Sequence, residues 1–105
     1  MITATFIFRP LKSDADYEAL NDRIDAVAAA SKGYLGRKRW QNREGDLAVV
    51  YYWTSMEALD PFRSDSTHKI AKSRADEWYA GYRVEISTIN EVYGDGYFDE
   101  DFPSE

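Results

Sequence analysis

The chain of 105 residues carries one histidine, His68, and no cysteine. Its imidazole is therefore the only side chain whose unperturbed proton equilibrium lies near neutral pH. Neutral imidazole can ligate iron or take a proton from a phenol. A histidine at a helix start can equally bond locally to backbone or to Asp65, and both readings stand at this point. The sequence is rich in rings, with eight Tyr, five Phe and three Trp. Trp53, Tyr51, Tyr52, Trp78 and Tyr79 can line an aromatic slot for a flat ligand. Taken singly, each can also fill a core or a subunit interface, the commoner use of aromatic side chains. Arg63 and Arg39 can hold a carboxylate by paired hydrogen bonds, or serve as surface ion-pair residues. Phosphate-binding glycine loops, paired-histidine metal motifs and nucleophile elbows are absent from the sequence. With one His and no Cys, a transition metal would have only carboxylates to recruit.

The elements that must position these residues follow from periodicity. Residues 2–8 alternate as a strand, with Ile2, Ala4, Phe6 and Phe8 on one face. Pro10 should end it. Ser13 is the expected N-cap of a helix carrying Tyr17, Leu20, Ile24, Val27 and Ala28 at helical spacing, which Gly33 stops. Tyr34 to Asn42 and Asp46 to Trp53 read as strands joined by a turn at Arg43-Glu44-Gly45-Asp46. Thr54-Ser55-Met56-Glu57 has the form of a capping box for a short helix that Asp60-Pro61 disturbs. A further helix is expected over about 67–79, placing His68 on one arc with Ala71, Ala75, Trp78 and Tyr79. Tyr82 to Tyr93 is the expected last strand. The order β-α-β-β-α-β is that of a ferredoxin-like α+β domain, a split βαβ with an antiparallel sheet.

Length and charge bound the rest. The chain has room for one domain, expected over residues 1–94, followed by an acidic, aromatic tail at 95–105. That tail holds five of the carboxylates and no base, leaving 14 acids against 13 bases in residues 1–94. Such a balance does not suit nucleic acid, which requires a basic surface. The longest apolar run, Leu47 to Trp53, is too short to span a bilayer, and the N-terminus lacks a secretory pattern, so a cytoplasmic protein is expected. In the third strand Leu47, Val49, Tyr51 and Trp53 alternate with Ala48, Val50 and Tyr52, so both faces are apolar. A second apolar face calls for a second sheet, and the simplest donor is an identical subunit in a homodimer.

The segment Tyr51-Tyr52-Trp53-Thr54-Ser55-Met56-Glu57-Ala58-Leu59, then Phe62-Arg63, His68 and Trp78-Tyr79, resembles the antibiotic-biosynthesis-monooxygenase domain. Gly33-Tyr34-Leu35-Gly36 adds to the likeness, which covers about residues 1–93 and is nearest to the haem-degrading-monooxygenase-like branch. The resemblance implies a dimeric α+β barrel with a pocket between sheet and helices in each subunit. It also implies a monooxygenase acting on an aromatic polycycle with no cofactor, or binding haem as ligand or substrate. A non-catalytic binding protein on the same fold is the alternative. His68 would be base or haem ligand; Trp53, Tyr51, Phe62, Arg63, Trp78 and Tyr79 would line the pocket. Haem-cleaving members pair the histidine with an Asn on the first strand and a Trp on the second helix. Here the first strand offers Thr3 and Thr5, and Phe62 stands near the place of that Trp.

Overall fold

A computed structural model describes residues 1–98, in which four strands and four helices follow one another. They are β1 (Ile2–Pro10), α1 (Ala15–Ala30), β2 (Tyr34–Gln41), β3 (Leu47–Trp53), α2 (Met56–Arg63), α3 (Ser66–Ser73), α4 (Ala75–Trp78) and β4 (Tyr79–Thr88). The sheet is antiparallel throughout, in the order β2-β3-β1-β4. This is the ferredoxin-like arrangement expected from the sequence, with the second helical region divided in three. Residues 99–105, most of the expected tail, lie outside the described residues.

Local chemistry explains the boundaries. Asp14, one residue after the expected cap, starts α1 by accepting the Tyr17 amide at 2.8 Å. Ser55 rather than Thr54 caps α2 and accepts the Ala58 amide at 3.2 Å. Asp65 caps α3 through the Thr67 amide at 2.8 Å. Pro61 lies inside α2 without ending it. The helix expected over 67–79 is interrupted at Arg74. There the Ser73 hydroxyl bonds back to the Ile70 carbonyl at 2.7 Å, a local alternative to the helical ladder.

The last strand also departs from expectation, running Tyr79–Thr88 rather than Tyr82 to Tyr93. Its partner sets both limits: Tyr79 pairs with Pro10 across a register shift, and Thr88 pairs with Ile2, where β1 runs out. Pro10 does not end β1 before this last pairing.

On the helix side the pleat arranges residues in rows across all four strands. Tyr34, Trp53, Ile2 and Thr88 form the first, and Arg37, Tyr51, Ala4 and Ile86 the second. Arg39, Val49, Phe6 and Val84 form the third, and Gln41, Leu47, Phe8 and Tyr82 the fourth. The core closes over the first row, where Ile2 and Trp53 pack with Ala28 of α1 and with Leu59 and Phe62 of α2. Gly33 allows the helices to approach there. Its φ is +87°, and a Cβ would lie 2.6 Å from both Ala58 Cβ and Thr54 Oγ1.

The opposite face carries Thr3, Thr5, Ile7, Ala48, Val50 and Tyr52, with Trp40 exposed near one edge. After β4 the chain reaches the far edge of the sheet, where the Lys38 ammonium lies 5.3 Å from the centre of the Phe98 ring. Val92, Tyr93, Tyr97 and Phe98 in this segment remain largely exposed.

Candidate active site

Beyond the first row the helices stand off from the sheet. Between the second and third rows and α1, α2 and α3 lies a cavity of about 980 Å³. Its floor is Tyr51, Ala4 and Ile86 beside Val49, Phe6 and Val84, with Arg37 and Arg39 where the rows meet the β2 edge. Val84 is 54% exposed although it faces the helix layer, because no helix residue seals it. At the fourth-row end the cavity is walled by rings, Phe8, Tyr79 and Tyr82, with Tyr17 of α1 against Tyr79.

His68 projects from the first turn of α3 and lines this cavity. Its ring stands edge-on to Phe62 with centroids 4.4 Å apart. Phe62 in turn packs on Trp53 at 4.9 Å and Tyr51 at 5.5 Å. Burial pushes the imidazole pKa below its ordinary value, and the nearby Asp65 carboxylate only partly opposes this. His68 is accordingly a free base at neutral pH. Its Nδ1 is buried and has no hydrogen-bond partner among the described residues.

Two phenols in the wall are held in their protonated form. Burial pushes Tyr51 up, and the Asp25 carboxylate reinforces the shift. Asp25 also pairs with Arg37 at 3.3 Å, so α1 and β2 meet at one side of the cavity. Tyr79 is pushed up by burial and by the neighbouring Tyr17 phenol. Protonated phenols are hydrogen-bond donors, suited to an oxygen atom that gains negative charge. Among the described residues no group of three or more His, Cys, Asp or Glu could hold a metal ion. No helix among them is long and apolar enough to cross a membrane.

The sequence model of the af470-like monooxygenases matches residues 11–95. The chain belongs to this family. Its domain is of the antibiotic-biosynthesis-monooxygenase type that the sequence resembles. An af470-like chain of this kind has a relative in YqjZ of Bacillus subtilis, 31% identical over 87 residues, covering 80% of this chain and 76% of the relative. Rv0793 of Mycobacterium tuberculosis shares the fold with a TM-score of 0.70 at 17% identity, covering 89% of this chain and 98% of that one. SnoaB of Streptomyces nogalater, a cofactor-independent oxygenase, superposes with a TM-score of 0.68 at 14% identity, covering 87% and 94%.

Within this af470-like domain, six of the nine residues singled out from sequence line the cavity: His68, Arg39, Tyr51, Phe62, Arg63 and Tyr79. The other three do not, Tyr52 lying on the opposite face of the sheet. Trp53 is fully buried in the closed first row, and Trp78, the last residue of α4, is 1% exposed, its indole donating to Asp14 at 3.3 Å. Both tryptophans are core residues here. Sequence reasoning missed the floor itself, Phe6, Val49, Val84 and Ile86, and placed no weight on Arg37. Their signal was the strand register, which alternation within one strand does not reveal.

Proposed function

We propose that the cavity is the site of a cofactor-independent monooxygenase acting on a planar phenolic substrate. The observation that carries this reading is His68, an uncharged base at neutral pH set in the wall of an aromatic and aliphatic cavity. His68 takes the phenolic proton, and the electron-rich anion reduces O₂. One oxygen atom enters the ring carbon as a carbonyl, and the other leaves as water with two hydrogens from the substrate. Tyr51 and Tyr79, held protonated, donate to the developing oxyanion. The cofactor-independent chemistry of SnoaB on the same fold supports the assignment.

Haem fits the site less well. A ligating histidine normally anchors its second ring nitrogen by a hydrogen bond, and His68 Nδ1 has no such partner among the described residues. The residues that accompany the histidine in haem-cleaving relatives are replaced by Thr3 or Thr5 and by Phe62. Oxygen uptake with a polycyclic phenol tests the proposal: wild type consumes oxygen and His68→Ala does so at least about a hundredfold more slowly, the low end of the usual range for a lost general base. Equal rates would dismiss it. A Soret shift on haemin addition that His68→Ala abolishes would favour haem instead, and binding without turnover would leave a ligand-binding protein.

The proposal includes a homodimer formed through the second sheet face. The apolar Ile7, Val50 and Tyr52 at the centre of that face, with exposed Trp40 nearby, support it.

A further inference from the structure

Helices α1 and α3 lie side by side over the cavity and run antiparallel. Arg74, where α3 stops, pairs with Asp16 of α1 at 3.2 Å. It also holds Glu77 at 2.8 Å and lies over the Trp78 ring at 4.6 Å, so this end is fixed. At the other end Asp65 caps α3. Its carboxylate is held below the usual range first by the Thr67 amide and in small part by the Arg23 guanidinium of α1. Between these ends each helix sends two charged side chains to the cavity rim, Glu18 and Asp22 from α1, Lys69 and Lys72 from α3. At about 1.5 Å per residue, Glu18 lies about 3 Å along its helix from Asp16, and Lys72 about 3 Å from Arg74. Asp22 and Lys69 lie about 9 and about 7.5 Å from the same pair. The charges therefore stand in register, Glu18 opposite Lys72 and Asp22 opposite Lys69.

All four are exposed, and among the described residues none of them makes a side-chain ion pair or hydrogen bond. Nearby charges do, Asp16 with Arg74 and Asp25 with Arg37. The two carboxylates repel one another along α1, as do the two ammoniums along α3. Meeting across the rim would relieve both repulsions. Helix α3 is the element free to respond. It is eight residues long, Thr67 is its single buried residue, and Ile70 is 41% exposed. Few buried apolar contacts mark a segment that moves at low cost. The helical ladder is broken before it at Ser64-Asp65 and after it at Arg74, so it can tilt as a unit.

We infer that α3 is a salt-sensitive lid, which tilts about its fixed end at Arg74 and closes over the cavity as Lys69 and Lys72 meet Asp22 and Glu18. Exposed ion pairs are individually weak, so two of them shift the balance several-fold and leave closure reversible. His68 rides on the same helix, so closing also moves the imidazole against whatever fills the cavity. Access is governed in this way whether the occupant is oxidised or only bound.

The chain holds no cysteine, so a pair of spin labels can be introduced without background. Nitroxides at Ala19→Cys on α1 and Ile70→Cys on α3, both exposed and outside the cavity lining, report the gap between the helices by pulsed electron–electron double resonance. In about 10 mM salt a shorter distance should accompany the one that this structure gives. Its share should be several-fold larger there than in about 1 M salt, where the screening length falls to about 3 Å. In the same labelled background, Lys69→Glu with Lys72→Glu should remove the shorter distance. Adding Glu18→Lys and Asp22→Lys should restore it, because the pairs re-form with reversed sign. A single distance that ignores salt, a shorter distance that persists in the doubly reversed variant, or one that the fourfold swap does not restore would overturn the inference.

Discussion

The His68 ring stands edge-on to Phe62 at 4.4 Å, so the candidate base rests directly on a core side chain that is 4% exposed. The core on one side of Phe62 and the cavity on the other share this contact. Phe62→Leu should cost about 1–2 kcal/mol in urea unfolding, for the apolar volume removed. It should also let water reach the imidazole and bring the His68 pKa back toward its ordinary value, as followed by NMR titration. An unchanged pKa would mean that Phe62 is not what desolvates the ring.

The pH response of stability follows from the direction of the His68 shift. The folded state disfavours the imidazolium because of burial, so the unfolded chain binds the proton more readily. The contribution is fully present above the unfolded value of about 6.5 and is lost as pH falls through the lower folded value. Unfolding midpoints measured from pH 8 down to 5 (about the range over which histidine titrates) should decline less in His68→Gln than in wild type. An identical decline would assign the acid sensitivity to other groups. The rate of oxygen uptake should rise with pH through the same folded value and level off above it.

Gly33→Ala should destabilise the fold. The left-handed backbone alone costs roughly 1–2 kcal/mol for a residue with a Cβ. The added carbon would also meet Ala58 Cβ and Thr54 Oγ1 at 2.6 Å. Denaturant titration measures the loss, and a double variant with Ala58→Gly should recover part of the steric share.

Val50→Lys should convert a dimer to a monomer in sedimentation at micromolar concentration, because it places a charge at the centre of the second sheet face. Val84→Lys, on the helix side, should leave the mass unchanged. A monomeric wild type would remove the dimer from the proposal.

Element order was legible because it rests on local signals. The alternation in β1 and β3 and the helical spacing from Tyr17 to Ala28 needed no knowledge of partners. Limits set by partners were not legible. Thr88 ends β4 because Ile2 ends β1, and no residue of the Ile89–Tyr93 stretch announces that. The tryptophans show the same gap. Trp53 and Val49 lie on one face of one strand, yet helices seal the first and leave the second lining a cavity. Periodicity gives the face but not how far the helix layer extends along it. His68 was legible as a candidate because it is the sole histidine, whereas its sealed Nδ1 depends on distant packing.

The rows that run from arginine to aliphatic residue have a stereochemical consequence. They break the sheet's left–right equivalence, so a rigid plate with one polar end has a single preferred heading on the floor. On the proposed reading, strand spacing would act as a ruler from the β2 edge and set which ring carbon meets the base and the oxygen. Moving the leading cation by one strand would shift the point of attack by ~4.8 Å, about one strand spacing.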